Sequence, residues 1–255
     1  GITTYTSYNE PTEEELLTHP NWKFRDQYDV VHEFSHGLAK VVDGYDEGVI
    51  NLQWEIVVSL GKYRNIENTF EWWIIVASDT NANICSMINS SWTTIHSFND
   101  CSSIHAFHDG YAVLATYNNN EEWIKKLTKP LYSIINQEGE IVNQIPYRYI
   151  SDFHEGMAKV VINTKDTIMN SKIGYINAAN QIQIPDIYDF ESNSFQNWLA
   201  VVKKDGAFGV INKQNETIIP FEYSEITTFN NWFAFAQKEN SCWILNMEWN
   251  FKLIE

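Results

Sequence analysis

Apolar and polar positions along this chain fall into short runs that return in the same order six times. With a phenylalanine as anchor, the frames are FSHGLAKV from Phe34, FEWWIIVA from Phe70, FHDGYAVL from Phe107, FHEGMAKV from Phe153, FQNWLAVV from Phe195 and FNNWFAFA from Phe229. Three positions after each Phe stands Gly or Trp (Gly37, Trp73, Gly110, Gly156, Trp198, Trp232), and two further on stands Ala, except at Ile75. The anchors lie 36, 37, 46, 42 and 34 residues apart. At such periods each unit is too small to bury its own apolar face and stacks on its neighbours.

A second shared stretch follows each frame: GVINLQWEIVV (48–58), ICSMINSSWTTI (84–95), LYSIINQEGEIVNQI (131–145), IGYINAANQIQIP (173–185), FGVINKQNETIIP (208–220) and CWILNMEWNFKLI (242–254). Each has an apolar pair, an Asn, a polar turn and a short aliphatic or β-branched run. This reads as two strands joined by a tight turn, because branched and aromatic side chains suit a pleated strand while Asn and Gly supply positive φ. The stretch WLAVVKKDGAFGVINKQNETIIP shows the whole unit, with Asp205-Gly206 at its first turn.

The pattern predicts an all-β repeat array of about six three-stranded meander units over residues 28–255, an open, curved, solenoid-like array. A closed β-propeller is the alternative, since the period suits a blade but a fourth strand per unit is not visible. Residues 1–27 read as an N-terminal extension. Thr12 followed by Glu13, Glu14 and Glu15 predicts a short capping helix that ends before His19-Pro20.

Tyr28-Asp29 with Phe34, Gly37, Ala39 and Val41, and Phe153 with Gly156, Ala158 and Val160, form one half of a recurring motif. Gly174-Tyr175-Ile176-Asn177 with Ile184-Pro185, and Gly209-Val210-Ile211-Asn212 with Ile219-Pro220, form the other. These residues resemble the WG-type repeats of bacterial proteins across roughly residues 28–254, with Ile173 and Phe208 in place of the Trp that gives the motif its name. The resemblance implies binding or scaffold modules, and no common catalytic residue comes with it.

One stretch points to different chemistry. His32-Glu33-Phe34-Ser35-His36 fits H-E-x-x-H, which on a helix presents two zinc ligands and a general base. Val30, Phe34, Leu38 and Val41 recur at helical spacing there. A third ligand is missing, because the extended motif fails at Ala39 and Val42, and Glu47 and Glu55 fall in spacer or hairpin segments. On a strand, residues four apart lie about 13 Å from each other, too far to share one ion. The same frame also recurs five times without the histidines. A zinc metallopeptidase is therefore the third-ranked function, and no metal or cofactor is expected. A weaker metal idea concerns His108 and His154, which follow the anchor Phe in consecutive units beside Asp109 and Glu155. No G-x-S-x-G elbow or phosphate-binding glycine loop is present.

Charge narrows the partner. A net charge of −16 repels nucleic acid and anionic membranes and attracts basic proteins. No apolar run is long enough to span a bilayer, and residues 1–20 lack a basic stretch followed by an apolar one, which favours the cytoplasm. Cys85, Cys101 and Cys242 form no C-x-x-C pair and read as buried free thiols. With 15% aromatic residues, most rings must pack between units. Trp72, Trp73, Trp198 and Trp232, at or beside the variable Gly/Trp position, are candidate partner-binding anchors. The expected function is a non-enzymatic module that binds a basic protein partner, in its sharpest form an acidic inhibitor or immunity-type protein that neutralises a toxin or nuclease. The rival is a carbohydrate-binding surface module.

Overall fold

The computed structural model describes residues 27–63, 65–67, 74–79, 83–89, 91, 93–117, 130–162, 171–229, 233–239, 241–246 and 252–254. The helix expected at 12–17 lies outside them. The described chain is all β and forms six antiparallel sheets in sequence order. Sheet I holds β1 (Val30–Val31), β2 (Leu38–Asp43), β3 (Asp46–Asn51) and β4 (Ile56–Tyr63). Sheet II holds β5 (Asn65–Ile66), β6 (Ile75–Asp79), β7 (Ile84–Ile88) and β8 (Thr94–Asn99). Sheet III holds β9 (Cys101–Ile104), β10 (Tyr111–Thr116), β11 (Leu131–Asn136) and β12 (Ile141–Ile145). Sheet IV holds β13 (Tyr149–His154), β14 (Met157–Val161), β15 (Lys172–Ile176) and β16 (Ile182–Asp189). Sheet V holds β17 (Leu199–Lys204), β18 (Ala207–Asn212) and β19 (Thr217–Tyr223). Sheet VI holds β20 (Glu225–Ile226), β21 (Phe233–Lys238), β22 (Ser241–Asn246) and β23 (Lys252–Ile254).

Five of the six sheets therefore have four strands, which corrects the three-stranded unit expected from the sequence. The added strand lies just before the anchor Phe, or in sheet IV runs through it, and is only two residues long in sheets I, II and VI, too short to show an alternating pattern. In sheet V the same segment follows that path without becoming a regular strand: Asn193 N–H donates to Val201 O and Gln196 bridges to Leu199.

The Gly or Trp three positions after Phe now has a physical reason. His36-Gly37, Asp109-Gly110, Glu155-Gly156 and Asn197-Trp198 all have positive φ at both residues, and each pair links the first two strands as a two-residue type I′ turn. Asp205-Gly206 makes the same turn between β17 and β18. The recurring Asn organises the next turn but one. Oδ1 of Asn51, Asn136 and Asn212 accepts from the backbone N–H groups two and four residues on, and their Nδ2 groups donate to Glu55, Glu140 and Glu216.

Anchor Phe and Ala pack together against the preceding sheet. Phe107 and Ala112 join Met87 and Cys85 of sheet II, Phe153 and Ala158 join Val113 and Ile134 of sheet III, and Phe195 and Ala200 join Ile173 and Tyr175 of sheet IV. Phe229 and Ala234 join Val210 and Ile219 of sheet V. Phe34 is the exception: it is 36% exposed and meets Trp54 edge-on at 6.0 Å. Among the described residues no hydrophobic cluster joins sheet VI to sheet I, and Phe233 and Phe235 leave the outward side of β21 exposed. Sheets II and III are also joined covalently, by a Cys85–Cys101 disulfide. The free-thiol reading fails for these two residues, because spacing in sequence does not report that β7 and β9 lie side by side. Cys242 is a free, exposed thiol.

Candidate binding site

Sheets III, IV and V bring their I′ turns into register, one beside the next. Asp109 Oδ2 accepts from Gly156 N–H at 2.8 Å, and Glu155 Oε2 accepts from Trp198 N–H at 2.8 Å. The carboxylate two positions after one Phe thus caps the amide three positions after the next. His108 and His154, one position earlier, face each other with ring centroids 4.8 Å apart. Burial and the charge of His108 push the His154 imidazole below its usual pKa, with Asp152, Asp109 and Glu155 working in the opposite direction.

Among the described residues, Trp198 is the last rung of this ladder. Its φ is 67° where sheets I, III and IV place Gly, and the residue is 69% exposed. A bulky residue held in left-handed backbone is strained, and such strain persists only where surrounding contacts impose it. Here Glu155 holds its amide, and Lys213 Nζ lies 4.2 Å from its ring centroid. Lys213 is itself fixed by Glu155, at 2.6 Å to the carbonyl and 3.3 Å to Oε2.

His154 also lines a cavity of about 380 Å³ whose other walls are Glu67, His105, Ala106, Tyr149, Ile150, Ser151 and Asp152. Sheets II, III and IV each contribute. Glu67 and His105 occupy equivalent positions just after the first strand, since Glu67 N–H donates to Val76 O as His105 N–H donates to Val113 O. His105 Nδ1 lies 2.6 Å from Asp152 Oδ1. Burial raises the pKa of Asp152, but the hydrogen bond and charge of His105, with His108 and His154 beyond, hold it below the ordinary carboxylate value. Burial pushes the Glu67 carboxyl above its ordinary value, opposed by the charge of His105. Ser151 Oγ donates to Asp152 O and accepts from Lys159 N–H, so its hydroxyl serves the backbone and is not set up as a nucleophile beside His105.

Of the residues singled out from sequence, Trp198 is exposed, while Trp72, Trp73 and Trp232 lie outside the described residues. His32 follows β1 in extended chain, Glu33 comes next, and His36 sits in the I′ turn with Ser35 Oγ 3.0 Å from its Nδ1. No helix carries this motif, and helical geometry was what put two histidines on one ion. Among the described residues no group of three His, Cys, Asp or Glu is arranged to hold a metal ion. Sequence reasoning missed Glu67, His105, Tyr149 and Asp152. A signal existed in the polar residue that ends the first strand in successive units, but an extra residue between Glu67 and Phe70 conceals its equivalence to His105.

The sheets, their turns and their stacking define a β-repeat protein. The two segments 132–165 and 208–242 match the WG containing repeat. The first segment spans β11 to β14 and the second begins at β18 and reaches β22, so each match straddles two sheets. Over these two segments the chain is similar to WG-type repeats. No curated protein matches its sequence. Among solved structures it is similar to Hsv2p of Kluyveromyces lactis (8% identity, TM-score 0.48, 86% of this chain and 75% of that one). It is similar also to BamB from Moraxella catarrhalis (7%, 0.47, 88% and 72%) and to a streptogramin B lyase (12%, 0.44, 89% and 82%). These are β-propeller-like folds, and a likeness this weak says nothing of function.

Proposed function

We propose that this protein is a non-enzymatic binding module that engages a basic protein partner along the turn ladder of sheets III–V. The observation that carries the reading is Trp198: a large ring in strained backbone, fixed by Glu155 and Lys213, with most of its surface in solvent. Rigid, exposed aromatics are the usual hot spots of interfaces. The net charge of −16 supplies long-range attraction for a cationic partner. An acidic inhibitor or immunity-type protein directed at a basic toxin or nuclease is the specific form this takes.

The test is co-purification with the product of a neighbouring gene, followed by titration of that partner against wild type and Trp198→Ala. The expected result is a loss of about 2 kcal/mol or more of binding free energy for the variant, together with slower association as salt rises. Binding that is unaffected by the variant, or that vanishes entirely at moderate salt, rejects the reading. Quenching of Trp198 fluorescence by glycans in place of protein would transfer the site to the carbohydrate class.

A further inference from the structure

We infer that the cavity between sheets II, III and IV is a receptor for one guanidinium group, an arginine side chain that the partner inserts beside the ladder. This rests on the binding-module reading and assigns chemistry to a part of the surface it leaves open. The lining combines two kinds of surface. Ala106, Ile150 and the ring of Tyr149 offer apolar wall to an aliphatic stem, and Glu67 and Asp152 offer carboxylate oxygens to a planar donor.

The carboxylates are unequal in a way that selects a cation. Asp152 already has a partner in His105 at 2.6 Å. Glu67 is half-buried, and among the described residues nothing donates a hydrogen bond to its carboxylate. The nearby cation Lys40 is committed elsewhere: its Nζ is 2.8 Å from Glu47 Oε1 and 3.0 Å from Ile66 O. Withdrawing a carboxylate from water without a donor is unfavourable. A guanidinium removes that penalty and adds charge-assisted hydrogen bonds. An anion would meet Glu67 and Asp152 head-on. The cavity adjoins the ladder through His154, which lines the one and stacks in the other.

The probe is Nα-acetyl-arginine methylamide, compared with the neutral isostere Nα-acetyl-citrulline methylamide. Both are titrated into the full chain by calorimetry, with the His105 and His154 imidazole resonances followed by NMR. Saturable binding of the arginine probe that shifts both histidines is expected, with the citrulline probe at least tenfold weaker. Glu67→Gln, which keeps shape and loses charge, is expected to weaken the arginine probe at least tenfold with the melting temperature retained. Should the variant not fold, the two-probe comparison on wild type decides alone. Equal affinity for the two probes, no saturable binding of arginine at millimolar concentration, or full affinity in a folded Glu67→Gln protein overturns the assignment. Failure of the probe while a partner still depends on Trp198 removes the cavity assignment only. A partner indifferent to Trp198 removes the parent reading, and the probe result then stands by itself.

Discussion

Gly174 offers the sharpest test of why these repeats carry glycine in their third strand. A Cβ there would lie 2.5 Å from Ile184 O, 2.9 Å from the Pro185 carbonyl carbon and 3.0 Å from Asp186 N, all backbone atoms that cannot swing aside. Gly48 and Gly209 meet the same obstacle, with Val58 O and Ile219 O each at 2.8 Å. In all three sheets the register between the glycine-bearing strand and the strand that follows it shifts at the glycine: between Glu47 and Val49, Ile173 and Tyr175, and Phe208 and Val210. Ser86 and Ser133 fill the equivalent place in sheets II and III, where pairing runs regularly through Ser86↔Ser97 and Ser133↔Gln144. The bulge carries the opposing carbonyl under the glycine, and only the absence of a Cβ lets it come so close.

Ordinary contact with that carbonyl begins at 3.4 Å, so Gly174→Ala requires a movement of about 0.9 Å in a packed strand pair. Overpacking of that kind costs about 1–3 kcal/mol, which in a chain of this size lowers the melting temperature by roughly 2–4 °C per kcal/mol. Gly174→Ser, which installs the residue of sheet III, should behave alike. The reverse exchange, Ser133→Gly, meets no such barrier and should lose only about 0.5–1 kcal/mol of strand preference. Urea unfolding gives the global value. Hydrogen exchange in β15 and β16 gives the local one, which a repeat array needs because its units need not unfold together. A Gly174→Ala protein as stable as wild type, or a Ser133→Gly protein equally impaired, would refute the account.

Asn212→Ala removes the acceptor for Gln214 and Glu216 N–H and the donor to Glu216, and should lower stability by about 1–2 kcal/mol in a denaturant titration. Cys85→Ser with Cys101→Ser opens a link across 16 residues between sheets II and III, for an expected loss of about 3 kcal/mol by thermal unfolding. His154 has a pKa below its unfolded value, so the folded state binds fewer protons through that window. Its contribution is present above the usual histidine pKa and is lost as pH falls through the lowered one. Melting temperature should therefore drop on mild acidification, and His154→Gln should flatten that slope. Asp152, also lowered, adds a second decline farther into acid, below the ordinary carboxylate value of 3.8.

Much of the fold can be read from the chain because the repeated positions are those that packing and backbone geometry leave least free. Phe107, Phe153 and Phe195 are at most 1% exposed, and Ala112, Ala158 and Ala200 share their clusters, so the Phe-to-Ala rhythm reports the stacking of sheets directly. The Asp205-Gly206 turn was legible for a local reason: I′ geometry demands positive φ twice. What escaped the sequence is relational. A two-residue strand such as Asn65–Ile66 has no period, and its existence is known only from the partners Ser78 and Ala77. Cys85 and Cys101 look unrelated until β7 and β9 are seen side by side. Glu67 and His105 belong together through equivalent backbone hydrogen bonds that an inserted residue hides.

The same geometry separates what this array must keep from what it is free to vary. The I′ turns place His36, Asp109, Glu155 and Asn197 in left-handed backbone at the strand ends, beyond the packed Phe and Ala. A repeat can therefore change these residues without disturbing the Phe and Ala below them. Two units use that freedom to hold their neighbour, as Asp109 does with Gly156 and Glu155 with Trp198. The backbone hydrogen bond that fixes the next turn is accepted by a side chain at the edge, so the edge is both a set of variable residues and a rigid one. Rigidity without packing constraint is what a recognition surface requires, since affinity is lost when side chains must be ordered on binding. Trp198 shows the combination at its extreme: it occupies a position where Gly would relieve the backbone, and neighbouring charged side chains hold it there.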